Sequence, residues 1–229
     1  CSPHQSAIHN LPAFFPLQFL GRQIEWQQLV AAAVGQEKRL LTLIGPKGMG
    51  KTSLALATAH YLYERSTFSG GVVYVQAEGA DNPNQLAQLI FDAIAEARAG
   101  ADDDGSSTPP AIERNSSSLT TEEGGNGNGN GSNGSNGMGG VAGALPSTLK
   151  RLGKCLLLID HIEMGGGNEN GYWLLQTILQ RAPECRLFLT ANDPIALPGV
   201  ATRQIALAPI PSREAGRLFK ALAPRPITR

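Results

Sequence analysis

Leu40-Leu41-Thr42-Leu43-Ile44-Gly45-Pro46-Lys47-Gly48-Met49-Gly50-Lys51-Thr52-Ser53 is the stretch on which the reading of this chain turns. A short apolar run stops at a glycine, and residues 45–52 then fit the pattern G-x-x-x-x-G-K-[ST]. Good helix formers follow at Leu54, Ala55, Leu56 and Ala57. The order strand, glycine-rich loop, helix is what phosphate binding requires. Glycines let a backbone wrap an anion with its N–H groups inward, at φ values other residues resist. A helix starting near Lys51 adds the positive end of its dipole. Lys51 supplies a point charge for β- and γ-phosphates, and Thr52 a hydroxyl for Mg²⁺. Gly45, Pro46, Lys47, Gly48, Met49, Gly50, Lys51, Thr52 and Ser53 are therefore the candidate nucleotide-binding residues, with a nucleoside triphosphate and Mg²⁺ as the implied ligands.

A second apolar run, Cys155-Leu156-Leu157-Leu158-Ile159, ends in Asp160. A carboxylate at the C-terminal end of a buried strand projects into the crevice where open α/β sheets bind ligands. With a phosphate loop upstream, Asp160 is the expected second group for Mg²⁺, acting through its water shell. Thr52 and Asp160 are thus the candidate metal residues. His161 has no histidine or cysteine at ligand spacing and reads as a loop residue. Glu163 is a candidate for polarising an attacking water, with a solvated acid as the alternative.

Around these motifs, strands and helices alternate. Strands are expected at residues 40–44, 71–75, 155–159, 186–190 and 203–207, and helices at 51–63, after Asn82-Pro83, at 172–181 and after Ser212, read as a cap. Strands separated by helices imply crossover connections and a mostly parallel five-stranded sheet covered on both faces, a three-layer α/β sandwich. Residues 101–144 interrupt it: more than half are Gly, Ser or Asn and none is aromatic. Such a segment buries too little apolar surface to offset its ordering entropy, so a disordered insertion is expected there. Residues 1–18 read as an N-terminal linker, 19–222 as the nucleotide-binding domain, and 223–229 as the start of a linker to a further domain.

Lys+Arg and Asp+Glu are 19 each, for a formal net charge of zero. A sequence-independent nucleic-acid binder normally carries a basic excess, so no nucleic-acid footprint is expected on this stretch. Cys1, Cys155 and Cys185 form no C-x-x-C pair, and the latter two are expected to be buried, inert thiols. No apolar run is long enough for a membrane span. A cytoplasmic protein is the expectation, and a chain beginning at Cys1 is expected to be a piece of a longer one.

Beyond the phosphate loop, Phe19-Leu20-Gly21-Arg22-Gln23-Ile24-Glu25 resembles the h-h-G-R-x-x-E motif that precedes it in the STAND class of NTPases, which includes NB-ARC domains. Leu156 to Glu163 resembles that class's metal-binding strand, and Phe188-Leu189-Thr190-Ala191-Asn192-Asp193-Pro194 its "LLTSRxP" strand end. Ile205-Ala206-Leu207-Ala208-Pro209-Ile210, followed by Glu214-Ala215 and Leu218-Phe219, resembles the lead into its small helical domain. The resemblance implies a nucleotide-dependent switch in a signalling or transcription-regulating protein: closed with ADP, self-associating with ATP, and slow to hydrolyse. It puts Arg22 near adenine and ribose, and aims Thr190 and Asn192 at the γ-phosphate from a strand between those carrying the phosphate loop and Asp160. Asp160, Glu163 and Asn192 are the catalytic candidates it leaves. The family often has Arg at the place of Asn192, and an acid or amide at that of His161. An AAA+-like motor or loader acting on nucleic acid or protein, and a binding-only scaffold, are the alternatives.

Overall fold

The computed structural model describes residues 7–13, 21–35, 37–80, 82–102, 141–162 and 169–222. Five strands form its sheet: β1 (Leu40–Ile44), β2 (Gly71–Gln76), β3 (Cys155–Asp160), β4 (Arg186–Ala191) and β5 (Thr202–Ala206). Their spatial order is β2-β3-β4-β1-β5, and every pairing is parallel. β4 thus separates the strand that feeds the phosphate loop from the strand that ends at Asp160, the placement implied by the resemblance.

Each crossover helix lies on one face of the sheet. Helices α1 (Gln23–Val34) and α2 (Lys51–Glu64) pack Leu29, Leu54 and Leu62 onto Leu41, Leu43, Leu156, Leu158 and Phe188. On the other face α3 (Pro83–Asp102), α4 (Val141–Leu152) and α5 (Glu169–Arg181) pack Ile90, Leu145 and Ile178 onto Leu40, Leu157, Leu187 and Leu189. Because both faces are covered, β3 and β4 are buried at every position, which is why their sequences run apolar without alternation. A last helix, α6 (Ser212–Leu222), follows β5.

Several local outcomes differ from the sequence expectation. Helix α1 was not foreseen, although Leu29 and Ala33 bury at helical spacing. Helix α4 begins at Val141, inside the expected insertion, and α3 extends to Asp102. The glycine-rich composition and Pro146 hid its pattern, yet Ala142, Leu145 and Leu149 form one buried stripe. Residues 103–140 of the expected insertion lie outside the described residues. Ser212 is the first residue of α6 rather than its cap, since Ala215 N–H donates to Pro211 O at 2.9 Å. At α3 the expected cap holds: Gln85 N–H donates to Asn82 Oδ1 at 2.9 Å.

Residues 7–13, read as linker, instead run along the outer edge of β2. Val72 N–H donates to Ile8 O at 2.9 Å, and the Asn10 amide clamps Tyr74, donating to its carbonyl at 2.9 Å and accepting from its N–H at 2.7 Å. Ile8 and Leu11 are buried beneath this strap. It satisfies part of a sheet edge that would otherwise present unpaired backbone groups.

Both foreseen thiols are buried. Cys185 is pushed well up from its ordinary range, by a hydrogen bond with Cys155 and then by burial, so it stays protonated. Among the described residues, Thr42 Oγ1 is a buried polar atom without a partner. A hydroxyl in that position costs its lost hydration, whereas valine has the same shape and no such cost. Thr42→Val is expected to raise the unfolding free energy by about 1–2 kcal/mol, read as a higher urea midpoint with unchanged slope. A lower midpoint would contradict it.

Candidate functional site

The loop between β1 and α2 curls at the C-terminal end of the sheet. Gly48 and Gly50 hold it open at φ 83° and 84°, and a Cβ on either would meet nothing within 4 Å. These left-handed positions turn the backbone without filling the space in front of it. Gly50 is the N-cap of α2, so the helix begins at Lys51 as expected. Lys47 and Ser53 are exposed, and Met49 packs partly against the α1/α2 side of the core.

Lys51 folds back over the loop. Its ammonium, only 4% exposed as a residue, donates to Gly45 O at 2.6 Å, Pro46 O at 3.1 Å and Asn192 Oδ1 at 3.0 Å. Burial lowers its pKa, Asp160 raises it and Lys47 lowers it further. Asn192, at the end of β4, is therefore joined to the phosphate loop through the lysine. The sequence placed these residues 141 apart; the adjacency of β1 and β4 brings them together.

Asp160 is the centre of the second half. It is 2% exposed. The Thr52 hydroxyl straddles its oxygens, 3.1 Å from Oδ1 and 3.0 Å from Oδ2. Thr190 Oγ1 donates to Oδ1 at 2.5 Å and accepts the His161 N–H at 2.9 Å, which fixes the direction of its own proton. On the other side the Tyr74 hydroxyl donates to Oδ2 at 3.4 Å, and His161 Nδ1 lies 3.3 Å from the same atom. Thr190 is thus committed to Asp160. His161 adopts a left-handed conformation, φ 57°, uncommon for a residue with a side chain.

Arg22 sits behind the loop. Its guanidinium is buried, donating to Glu25 Oε1 at 2.9 Å and to Met49 O at 3.2 Å. It braces the loop backbone. Glu163 lies outside the described residues, as do Phe19 and Leu20 of the preceding motif.

A hydroxyl and a buried carboxylate at hydrogen-bonding distance are hard oxygen donors, which is the chemistry Mg²⁺ takes. Beside them stand a lysine and a helix N-terminus, and in front is an open glycine cradle. These residues fit a nucleoside polyphosphate with its cation. The residue that sequence reading missed is Tyr74, because nothing in the chain says that β2 borders β3.

The model of the AAA ATPase domain matches residues 18–189, most of the chain. The chain belongs to that family. No curated protein matches the sequence. Among solved structures, this AAA ATPase domain is similar to the Aeropyrum pernix Orc1 protein in complex with DNA. The identity is 19% and the TM-score 0.58, over 92% of this chain and 51% of that one. It also matches a DNA replication initiation factor at 14% identity and TM-score 0.49, covering 91% and 55%. PCH-2 of C. elegans matches at 16% and 0.45, covering 86% and 45%. The likeness to Orc1 shows the fold, and the chain spans about half the length of these structures. Among the described residues no helix is long and apolar enough to cross a membrane.

Proposed function

We propose that this AAA ATPase domain is a nucleotide-dependent switch of a signalling or transcription-regulating protein, one that binds ATP and ADP with Mg²⁺ and hydrolyses slowly. The observation that carries the reading is the make-up of the strand end. Asp160 is surrounded by hydroxyls and faces Lys51 across Thr52, a set suited to holding a cation and phosphates. The next residue is His161 rather than a second carboxylate, and its imidazole lies against Asp160. Among the described residues, the groups around Asp160 are ones that bind a cation and phosphates.

Thr52 and Asp160 would hold the cation, which when bound neutralises charge on the β- and γ-oxygens. Lys51 and the first turn of α2 take the remaining phosphate charge. Asn192, neutral and bonded to Lys51, senses the terminal phosphate by orientation rather than by charge. Arg22 contributes by keeping the Met49 turn in shape, so that the loop N–H groups converge. The order of motifs from Gly21 to Phe219, which resembles the STAND class, supports a switch that self-associates in its ATP form.

A second reading, a motor or loader acting on nucleic acid or protein, is supported by the family itself and by a structural neighbour solved with DNA. The zero net charge weighs against it. Calorimetric titration of ATP and ADP, followed by turnover assays with and without duplex DNA, separates the two. Preferential retention of ADP and slow turnover indifferent to DNA are expected. Brisk, DNA-stimulated turnover would favour the loader, and no binding of either nucleotide would overturn the nucleotide reading.

A further inference from the structure

We infer that Tyr74 is a positioning residue for the metal-binding carboxylate: its hydroxyl, on the strand beside β3, holds Oδ2 of Asp160 in the orientation that receives the hydrated cation. The inference rests on the proposed Mg²⁺ role of Thr52 and Asp160.

The two strands flanking β3 reach Asp160 from either side. From β4, Thr190 donates to Oδ1 at 2.5 Å; from β2, Tyr74 donates to Oδ2 over a longer 3.4 Å. Tyr74 pairs with Leu158 in the β2–β3 register and so projects on the same face as Asp160, two residues on. The backbone under the ring is fixed as well, since the Asn10 amide occupies both the N–H and the carbonyl of Tyr74.

Thr52 has a different part. Its hydroxyl points its proton at Asp160 and keeps its lone pairs for a cation, so its position follows the cation. Thr190 and Tyr74 hold the carboxylate from the sheet itself, one per oxygen. Without the phenol, Oδ2 keeps the Thr52 hydroxyl and the partly exposed His161 imidazole but loses its donor from β2. Orientation of a metal-binding carboxylate by such outer hydrogen bonds is a recurrent requirement of cation sites.

The test is Tyr74→Phe, which keeps the ring in the core and removes one oxygen. ATP affinity is measured by calorimetry with Mg²⁺ and with EDTA, for wild type, Tyr74→Phe and Asp160→Asn. The expected result is that Tyr74→Phe binds ATP as wild type does in EDTA, while the gain on adding Mg²⁺ shrinks about 3–10-fold, the worth of one modest hydrogen bond. An unchanged Mg²⁺ gain overturns the inference. Equal losses with and without Mg²⁺ also overturn it, since they mean that the ring oxygen only supports the fold. If Asp160→Asn retains the wild-type Mg²⁺ gain, it is the metal role of Asp160 that fails, and the inference falls with it.

Discussion

Lys51→Ala is expected to weaken both ATP and ADP by about one to two decades, the worth of a charge-assisted contact to phosphate. The ammonium already stands in a ring of oxygens from Gly45, Pro46 and Asn192, so little reorganisation is needed to offer it to a phosphate. Burial disfavours its charge, and Asp160 is the group that opposes that loss. A polyphosphate at the loop adds negative charge to the same spot, which makes the ammonium worth more in the complex than out of it. Lys51→Arg should not restore binding, because a planar fork does not fit three acceptors placed for a compact point charge. Stability should move less than affinity, since Gly45 is only partly buried and Pro46 is exposed, so their carbonyls can take water instead. Titration calorimetry on the three proteins reads this directly, and wild-type affinity in Lys51→Ala would sink the phosphate-loop assignment.

The second large effect is structural. Gly70→Ala is expected to cost about 3 kcal/mol or more of unfolding free energy. A Cβ at Gly70 would fall 2.1 Å from Leu152 O and 2.9 Å from its carbonyl carbon. Those atoms end α4, whose Leu145 and Leu149 are fully buried, and Gly70 N–H is itself tied to Lys154 O at 2.9 Å. Neither side can withdraw cheaply. Gly71→Ala makes an instructive contrast. Its φ is 101° and its added Cβ would also lie 2.1 Å from backbone, but the obstacle is Ile8 O on the strap at the sheet edge. That strap can lift away, so Gly71→Ala should cost about 1–3 kcal/mol in backbone strain, together with the strap's own contacts. Urea unfolding of the two variants decides the matter: Gly70→Ala within 1 kcal/mol of wild type would mean that α4 yields where its packing says it cannot.

How far the chain could be read in advance follows from where each constraint resides. The glycine-rich turn from β1 into α2 was legible because its physics is local. Glycines at Gly48 and Gly50, a lysine and a threonine must be consecutive to shape one turn and start one helix. The apolar runs of β3 and β4 were legible because burial on both faces removes alternation, a property of each strand alone. Helix α4 was not, since its stripe of Ala142, Leu145 and Leu149 sits against a glycine-rich background and carries Pro146 inside it. The strap at residues 7–13 was not legible either. An amide at Asn10 can imitate a strand only if a free edge lies beside it, and the edge at β2 comes from strand order.

The sequence by itself determined the parallel α/β sandwich, the glycine-rich turn from β1 into α2 and the carboxylate that ends β3, for these rest on contiguous patterns and short-range sterics. Tertiary structure decided what surrounds that carboxylate. Strand order β2-β3-β4-β1-β5 sets Thr190 and Tyr74 on either side of Asp160 and swings Asn192 onto Lys51. Those pairings span from 30 to 141 positions along the chain, and no local preference encodes them. They exist because neighbouring strands lie about 4.8 Å apart, and only the packing of the helices on each face selects which strands are neighbours.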